Sequence, residues 1–196
     1  MMRAVFLLSV LMFIMTGCNM DAFNMMSQST RKDVFHDIKE GAPIPSGYAE
    51  LTIVSSLKTH KPGIYPFGSK VRGTPEYVLS FNLDGQNEMV KGFLSAENRE
   101  KMGLYDPEAG VGVRYLFEKT IFLKAGAHSL MVSLPEEKFI EKRELDLKDA
   151  TSNTLRLEPI YGQINPECML GVGQLGCRSF MAGIVGFWAY LNGSRI

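Results

Sequence analysis

The sequence predicts a mainly β protein: an antiparallel β-sandwich of about seven to eight strands, with an N-terminal tether and a Gly-rich C-terminal tail. Short segments between residues 48 and 159 alternate apolar and polar side chains, which is the period of a half-buried strand. Gly, Asp, Asn and Pro residues separate these segments at intervals typical of turns. With 196 residues, 45% of them hydrophobic, the chain is long enough for one well-buried domain and short for two.

The charge composition is balanced. The chain has 21 basic and 21 acidic residues, and the basic ones are scattered rather than clustered. A balanced, unclustered charge creates no broad field that would attract a phosphate backbone. Nucleic acid is therefore not expected as a partner.

The N-terminus has the parts of an export signal. Arg3 is the positive residue, and the apolar run from Ala4 to Met15 follows it. This run is too short to span a bilayer, which needs about 20 residues. Met15-Thr16-Gly17-Cys18 then resembles the lipobox of bacterial lipoproteins, matching at Gly17 and Cys18 and departing from the usual Leu at Met15.

The lipobox resemblance implies that residues 1–17 are removed and that lipid is attached to Cys18. Asn19, rather than Asp, follows that cysteine, which in such families implies transfer to the outer membrane, here with the body on its periplasmic side. The alternative is an ordinary secretory signal in which Cys18 is incidental.

The predicted mature chain has three parts. These are a tether (18–47), a sandwich domain (48–160) and a C-terminal extension packed on that domain (161–196). A short helix is predicted inside the tether, because Thr30 and Asp33 resemble a capping pair and Val34, Phe35 and Ile38 share a face at helical spacing.

The strands are predicted from their alternation. They are Tyr48 to Leu57, Tyr77 to Leu83, a return strand through Met89 to Leu94, Val113 to Lys124 with a possible break near Glu118, Ala127 to Leu134, Phe139 to Leu147, and Thr154 to Pro159. Asp84-Gly85 supplies the tight hairpin turn that starts the return strand. Two sets are each predicted to share one face of a strand: Leu51, Ile53, Ser55 and Leu57, and Leu79, Phe81 and Leu83. The side chains predicted to face inward are His128, Leu130, Val132, Leu134, Leu145, Leu147, Leu155 and Leu157.

Four stretches of this pattern combine turn and strand residues in a recurring order. They are Leu83-Asp84-Gly85, the stretch from Phe122 through Gly126 and His128 to Leu130, Leu145-Asp146-Leu147 and Thr154-Leu155-Arg156-Leu157. Together they resemble small surface β-sandwich modules of the PEGA kind. It implies a sandwich fold and a non-catalytic envelope module.

The tail beyond Tyr161 is rich in Gly and apolar residues. With Cys18 lipidated, Cys168 and Cys177 remain as a pair, and in an oxidising envelope a disulfide is predicted, worth about 2 to 3 kcal/mol. The alternative is two buried free thiols. The apolar run from Met181 to Leu191 is interpreted as a core strand or covering segment rather than as a membrane or partner contact.

No catalytic, cofactor-binding or metal-ligating residues are predicted. Gly171 to Gly176 has the spacing of a dinucleotide loop but follows no strand and lacks the later acidic residue, so it is rejected. The three histidines, His36, His60 and His128, lie in unlike contexts. The acidic residues Glu136, Glu137, Glu141 and Glu144 are interpreted as a solvated face.

The predicted function is that of a lipid-anchored envelope protein with a non-catalytic binding or structural role, whose partner is an envelope protein or a glycan. One alternative is a periplasmic enzyme acting on glycan or peptide. It would be favoured by a polar cleft with two facing carboxylates or a His with an acidic partner, and refuted by a sandwich with an entirely apolar interior. The other is a small-ligand or glycan binder, for which Tyr65, Phe67 and Trp188 would share one concave surface.

Overall fold

A computed structural model describes residues 31–38, 42–62, 70–99, 106–163 and 178–196. These residues form strands and contain no α-helix, so the predicted mainly β fold is confirmed. The strands are β1 (Phe35–Asp37), β2 (Tyr48–Thr59), β3 (Val78–Leu83), β4 (Gln86–Lys91), β5 (Phe93–Arg99), β6 (Gly110–Lys124), β7 (Gly126–Leu134), β8 (Phe139–Leu147), β9 (Ser152–Tyr161), β10 (Ile184–Leu191) and β11 (Ser194–Arg195). Two 3-10 turns, Pro135–Glu137 and Phe180–Ala182, precede β8 and β10.

The strands form two sheets. The larger sheet has the order β1-β6-β2-β9-β10-β11, with β5 also paired to β6, and the smaller has the order β4-β3-β7-β8. All pairs are antiparallel except β2 with β9, so the expectation of antiparallel strands is wrong at that pair. The reason is topological: the chain crosses to the smaller sheet and returns beside β2 in the same direction.

The inner faces of both sheets contribute to a single apolar core. Every residue that was predicted to face inward is buried. Alternation of side chains along each strand therefore predicted the core correctly. Strand β6 runs without interruption through Glu118, so the possible break there is wrong.

The helix predicted near residue 34 is wrong. Residues Phe35–Asp37 form β1 along one edge of β6, and both Val34 and Phe35 enter the core. The side-chain carbonyl of Gln86 accepts hydrogen bonds from the Val34 and Phe35 backbone N–H groups at 2.8 and 3.2 Å, and its NH₂ group donates to the Phe35 carbonyl at 3.1 Å. A side chain from β4 thus takes the place of a neighbouring strand.

The Asp84-Gly85 hairpin is confirmed, with φ of 47° and 94° as a two-residue turn of this kind requires. The return strand begins at Gln86, directly after the turn as predicted, and ends at Lys91, before the predicted Leu94. Gly92 then carries the chain across to β5 in the larger sheet. A Cβ atom at Gly92 would lie 2.7 Å from the Tyr115 ring, so the close approach requires glycine.

Two of the acidic residues near β8 are not solvated as predicted. Glu141 accepts a hydrogen bond from the Phe187 N–H at 3.2 Å, and Arg143 donates to the Phe187 carbonyl at 3.4 Å. The Glu137 carboxylate is almost fully buried. These contacts hold the free edge of β10 against the smaller sheet, because a backbone edge without a neighbouring strand needs other hydrogen-bond partners.

Candidate binding surface

The outer face of the larger sheet carries a row of side chains that crosses five strands. Register pairs Glu118 with Val54, Val54 with Arg156, Arg156 with Tyr190, and Tyr190 with Arg195, in that order from β6 to β11. Directly paired residues point to the same face of a sheet. None of the five is buried, so the row is accessible.

A second row beside the first contributes the exposed apolar side chains. Phe93 pairs with Leu116, and Leu116 pairs with Ser56. Further along the sheet, Glu158 pairs with Trp188. The exposed fractions of Phe93, Leu116 and Trp188 are 71%, 45% and 37%. Aromatic rings are thus presented at both sides of this face.

Arginine side chains lie over the aromatic rings at one side of the face. The Arg195 guanidinium carbon is 3.7 Å from the centre of the Trp188 ring, and that of Arg156 is 4.9 Å from the centre of the Tyr190 ring. Arg156 also forms an ion pair with Glu158. We use the name aromatic–arginine row for the five residues Trp188, Tyr190, Arg156, Arg195 and Glu158. Such side chains combine apolar ring faces with planar hydrogen-bonding groups.

Threonine hydroxyls line the same face next to the aromatic–arginine row. Thr52 pairs with Thr120 on one side and with Thr154 on the other. The hydroxyl oxygens of Thr52 and Thr120 are 3.2 Å apart. None of the three is buried, so their hydroxyls add polar groups to the surface.

Towards the end of β2, this face is covered instead of open. Lys58 is fully buried there, and its Nζ donates to the backbone carbonyls of Glu108 and Gly110 at 2.8 and 2.6 Å. The Phe180 ring packs 4.9 Å from the same ammonium group. A Cβ atom at Gly112 would meet the Lys58 side chain at 2.6 Å, so glycine makes room for the lysine.

Two carboxylates near this lysine, those of Glu97 and Glu108, share one arginine. Arg114 donates to Glu97 at 2.8 Å, to Ser56 at 2.9 Å and to Glu108. The Tyr161 hydroxyl donates to Glu108 at 2.7 Å. Burial, together with the negative charge of Glu108, raises the pKa of Tyr161 well above its ordinary value. The two carboxylates are therefore held by a guanidinium rather than presented to an open cleft.

His128 has an acidic partner, but both of its ring nitrogens face acceptors. Nδ1 lies 2.6 Å from the Asp84 carboxylate and Nε2 lies 2.7 Å from the Lys124 carbonyl. Asp84 also accepts the Ser129 N–H at 2.8 Å. Burial raises the pKa of Asp84, but the bonds from His128 and Ser129 outweigh it and the net pKa is lowered. The pair fastens the β3–β4 turn to β7.

A second buried ion pair lies where the two sheets meet. Arg72 forms a two-pronged ion pair with Glu137, whose carboxylate also accepts the Tyr77 hydroxyl at 2.9 Å. His60 Nδ1 is 3.4 Å from Arg72. Burial and the Arg72 charge lower the pKa of His60, whereas Glu137 acts in the opposite direction.

An open groove of about 650 Å³ lies at the edge of β6 between β1 and β5. Its lining residues are Asp37, Ile38, Glu118, Lys119 and Thr120. The Lys119 ammonium is 2.6 Å from Asp37 and 3.1 Å from Glu88, so its charge is already paired.

Several predicted features lie outside the described residues. They are Cys18, Cys168, Cys177, Tyr65, Phe67 and the Gly171 to Gly176 stretch.

The three histidines are not brought together. The centre of the His36 ring lies 6.3 Å from the centre of the Tyr48 ring, and His60 and His128 have the different partners described above. Trp188 is on the surface, at the outer face of β10. Thus Met181 to Leu191 holds a core strand, as predicted, with one exposed side.

Sequence reasoning missed the aromatic–arginine row because its members come from three different strands. Only register brings Arg156, Tyr190 and Arg195 into line. The contact between Asp84 and His128 was also missed, because the two residues are 44 positions apart in the sequence.

Comparisons of the chain with protein-family models, with curated proteins and with solved structures found no match. Within the described ranges, no helix is long and apolar enough to cross a membrane. In the same ranges, no group of three or more His, Cys, Asp or Glu side chains could hold a metal ion.

Proposed function

We propose that this protein is a lipid-anchored β-sandwich of the bacterial cell envelope that binds another envelope component without catalysis. The observation that carries the proposal is the accessible outer face of the larger sheet, with exposed Phe93 and Trp188, Arg195 over the Trp188 ring and Arg156 over the Tyr190 ring. Side chains of these types offer apolar ring faces and planar hydrogen-bonding groups to a partner molecule.

The anchor in this proposal is lipid on Cys18, with the body on the periplasmic side of the outer membrane. The thirteen residues from Cys18 to Thr30 precede Arg31, which bonds the Asp84 carbonyl at 3.2 Å beside the hairpin turn. Fully extended, they reach about 45 Å. A tether of that length confines the body near the membrane and raises its effective concentration towards neighbouring components.

The non-catalytic role is supported by the way acid and base groups are used. Two facing carboxylates, or a His with an acidic partner, are the features that would favour an enzyme. The nearest candidates are Glu97 with Glu108, and His128 with Asp84. Here Arg114 binds both glutamates, and both nitrogens of His128 face acceptors. Each set therefore fastens one segment of the fold to another.

The test is the intact mass of the protein extracted from membranes, with and without reduction, compared with a Cys18→Ala variant. We expect the wild-type chain to begin at Cys18, to carry acyl mass and to gain two hydrogens on reduction. The gain would come from a proposed Cys168 to Cys177 disulfide. The variant should be recovered without acyl mass.

A soluble wild-type chain without added lipid would overturn the proposed anchoring. Acyl mass without a change on reduction would overturn only the disulfide. The enzyme alternative would be favoured if the purified protein released products from envelope glycan or peptide and an Asp84→Asn variant did not.

A further inference from the structure

We infer that the aromatic–arginine row is a binding site for a neutral glycan chain. The inference rests on the proposed function in that it names the envelope component that the outer face binds. Trp188 and Tyr190 would stack on the apolar faces of sugar rings with the ring faces that Arg195 and Arg156 do not cover. Arg156, Arg195 and Glu158 would bond the hydroxyls at the ring edges.

The chemistry of the row fits a sugar. A pyranose ring has an apolar face and a rim of hydroxyls, so it requires a flat apolar support with donors and acceptors beside it. Trp188 provides an exposed ring, and Arg195 lies against it at 3.7 Å. The guanidinium of Arg156 supplies donors and the carboxylate of Glu158 supplies acceptors at the same place.

The charge of the face favours a neutral ligand. Arg156 and Arg195 are balanced by Glu158 and Glu118, which lie in the same two rows. An anionic polymer or an anionic membrane would be attracted by an excess of basic residues. The balanced rows provide no such excess.

The distribution of apolar side chains argues against a protein partner at this site. Leu116 and Trp188 are separated by the polar residues Ser56 and Glu158. A stable protein interface requires a continuous apolar core surrounded by a polar rim. The exposed apolar residues of this face do not form one.

The shape of the surface suits an extended chain. The aromatic–arginine row spans β9 to β11, and the paired residues Val54 and Glu118 continue it across β2 to β6. The whole line from Glu118 to Arg195 crosses four strand spacings, which is about 19 Å. Its backbone is held in a paired sheet, so the side chains keep their spacing without a ligand. We therefore expect oligosaccharides to bind more tightly than single sugars.

Trp188 makes the inference directly testable, because it is the only tryptophan of the chain. The experiment titrates the full-length Cys18→Ala protein with chitohexaose and cellohexaose, following tryptophan fluorescence and binding heat. N-acetylglucosamine tests length dependence, an oligogalacturonate hexamer tests charge, and vesicles of phosphatidylglycerol test the membrane.

We expect a neutral hexamer to change the Trp188 fluorescence and to release heat. Trp188→Ala should weaken binding at least about tenfold by calorimetry. Met89→Ala is the matched control, because Met89 is an exposed apolar residue of β4 in the smaller sheet and should leave binding unchanged. Unchanged thermal unfolding of both variants shows that folding is intact.

No response to either neutral hexamer would overturn the inference. So would equal binding by Trp188→Ala, or tighter binding of the anionic hexamer or of vesicles. The Cys18→Ala protein has no lipid, so its glycan binding does not depend on anchoring. A missing acyl mass in the wild type would overturn the anchor alone, and a missing glycan response would overturn this site alone.

Discussion

At the scale of single residues, the buried polar side chains in the described part of the chain have hydrogen-bond partners, except for one hydroxyl. Lys58 and Asn153 are buried, and each bonds at least two acceptors. Thr59 is also buried, but its hydroxyl oxygen has no hydrogen bond with a described residue. A buried hydroxyl without a partner lowers the stability of the fold.

We therefore predict that Thr59→Val stabilises the protein. Valine keeps the branched shape and removes the hydroxyl, so the free energy of unfolding should rise by about 1 kcal/mol. Urea denaturation measures this change. The control is Thr52→Val, because the Thr52 hydroxyl has a partner in Thr120 and its loss should not stabilise. A loss of stability in Thr59→Val would contradict the prediction.

Asp84 predicts a dependence of stability on pH. Its folded-state pKa lies below its ordinary value of 3.8, so its contribution is fully present above that value and is lost as pH falls through the folded pKa. We expect Asp84→Asn to lower the free energy of unfolding by about 1 to 3 kcal/mol at neutral pH. The difference from wild type should shrink as the pH falls towards 3.8 and below it.

The control for Asp84 is Asp146→Asn, which removes an exposed carboxylate from β8. Its unfolding free energy should stay close to that of the wild type across the same pH range. Equal pH profiles for Asp84→Asn and the wild type would show that the bonds from His128 and Ser129 do not stabilise the folded state.

At the scale of elements, strands that alternate regularly could be predicted from the sequence, and strands defined by distant contacts could not. β8 has the predicted bounds, because alternation and flanking turns are local properties. β1 was mistaken for a helix, because its edge is satisfied by Gln86, 51 residues from Phe35. The parallel pairing of β9 with β2 was also missed, because strand order is not a local property.

The candidate surface shows the same limit. Trp188 could be singled out from composition alone, but its neighbours could not. Glu158 lies beside Trp188 only because β9 and β10 pair in one register, and a slip of a single residue would place the two on opposite faces. Sequence patterns predict which face a residue occupies more readily than which residues share a neighbourhood.

The closure of β10 against β8 predicts a coupling between two residues. A Cβ atom at Gly186 would overlap the Glu141 carboxylate, so Gly186→Ala should displace Glu141 from the Phe187 N–H. We expect a loss of about 1 to 3 kcal/mol in the free energy of unfolding, as for a buried donor that loses its partner.

A double-mutant cycle with Glu141→Ala tests this mechanism. If both single variants lose the same hydrogen bond, the double variant should be more stable than the sum of the two losses predicts. Denaturant unfolding of the four proteins measures the coupling. Additive losses would show that Gly186 is required for another reason.

At the scale of the whole molecule, one carboxylate joins parts that are distant in sequence. Glu137 lies before β8 of the smaller sheet, and it binds Arg72 and the Tyr77 hydroxyl. The Ile184 N–H at the start of β10 lies 3.4 Å from the same carboxylate. The apolar core brings the sheets together, but this carboxylate gives their ends a defined relative position.

We predict that Glu137→Gln is strongly destabilising, because it leaves the mostly buried Arg72 without its counter-ion. Removing one partner of a buried pair costs about 3 to 5 kcal/mol. The matched control, Glu136→Gln, changes an exposed neighbour and should cost far less.

The same variant should also change the pKa of His60. Burial and the Arg72 charge lower this pKa, and the Glu137 charge opposes them, so the His60 pKa should fall further in Glu137→Gln. NMR titration of His60 measures this second effect, and an unchanged His60 pKa would show that the carboxylate does not act on the histidine through its charge.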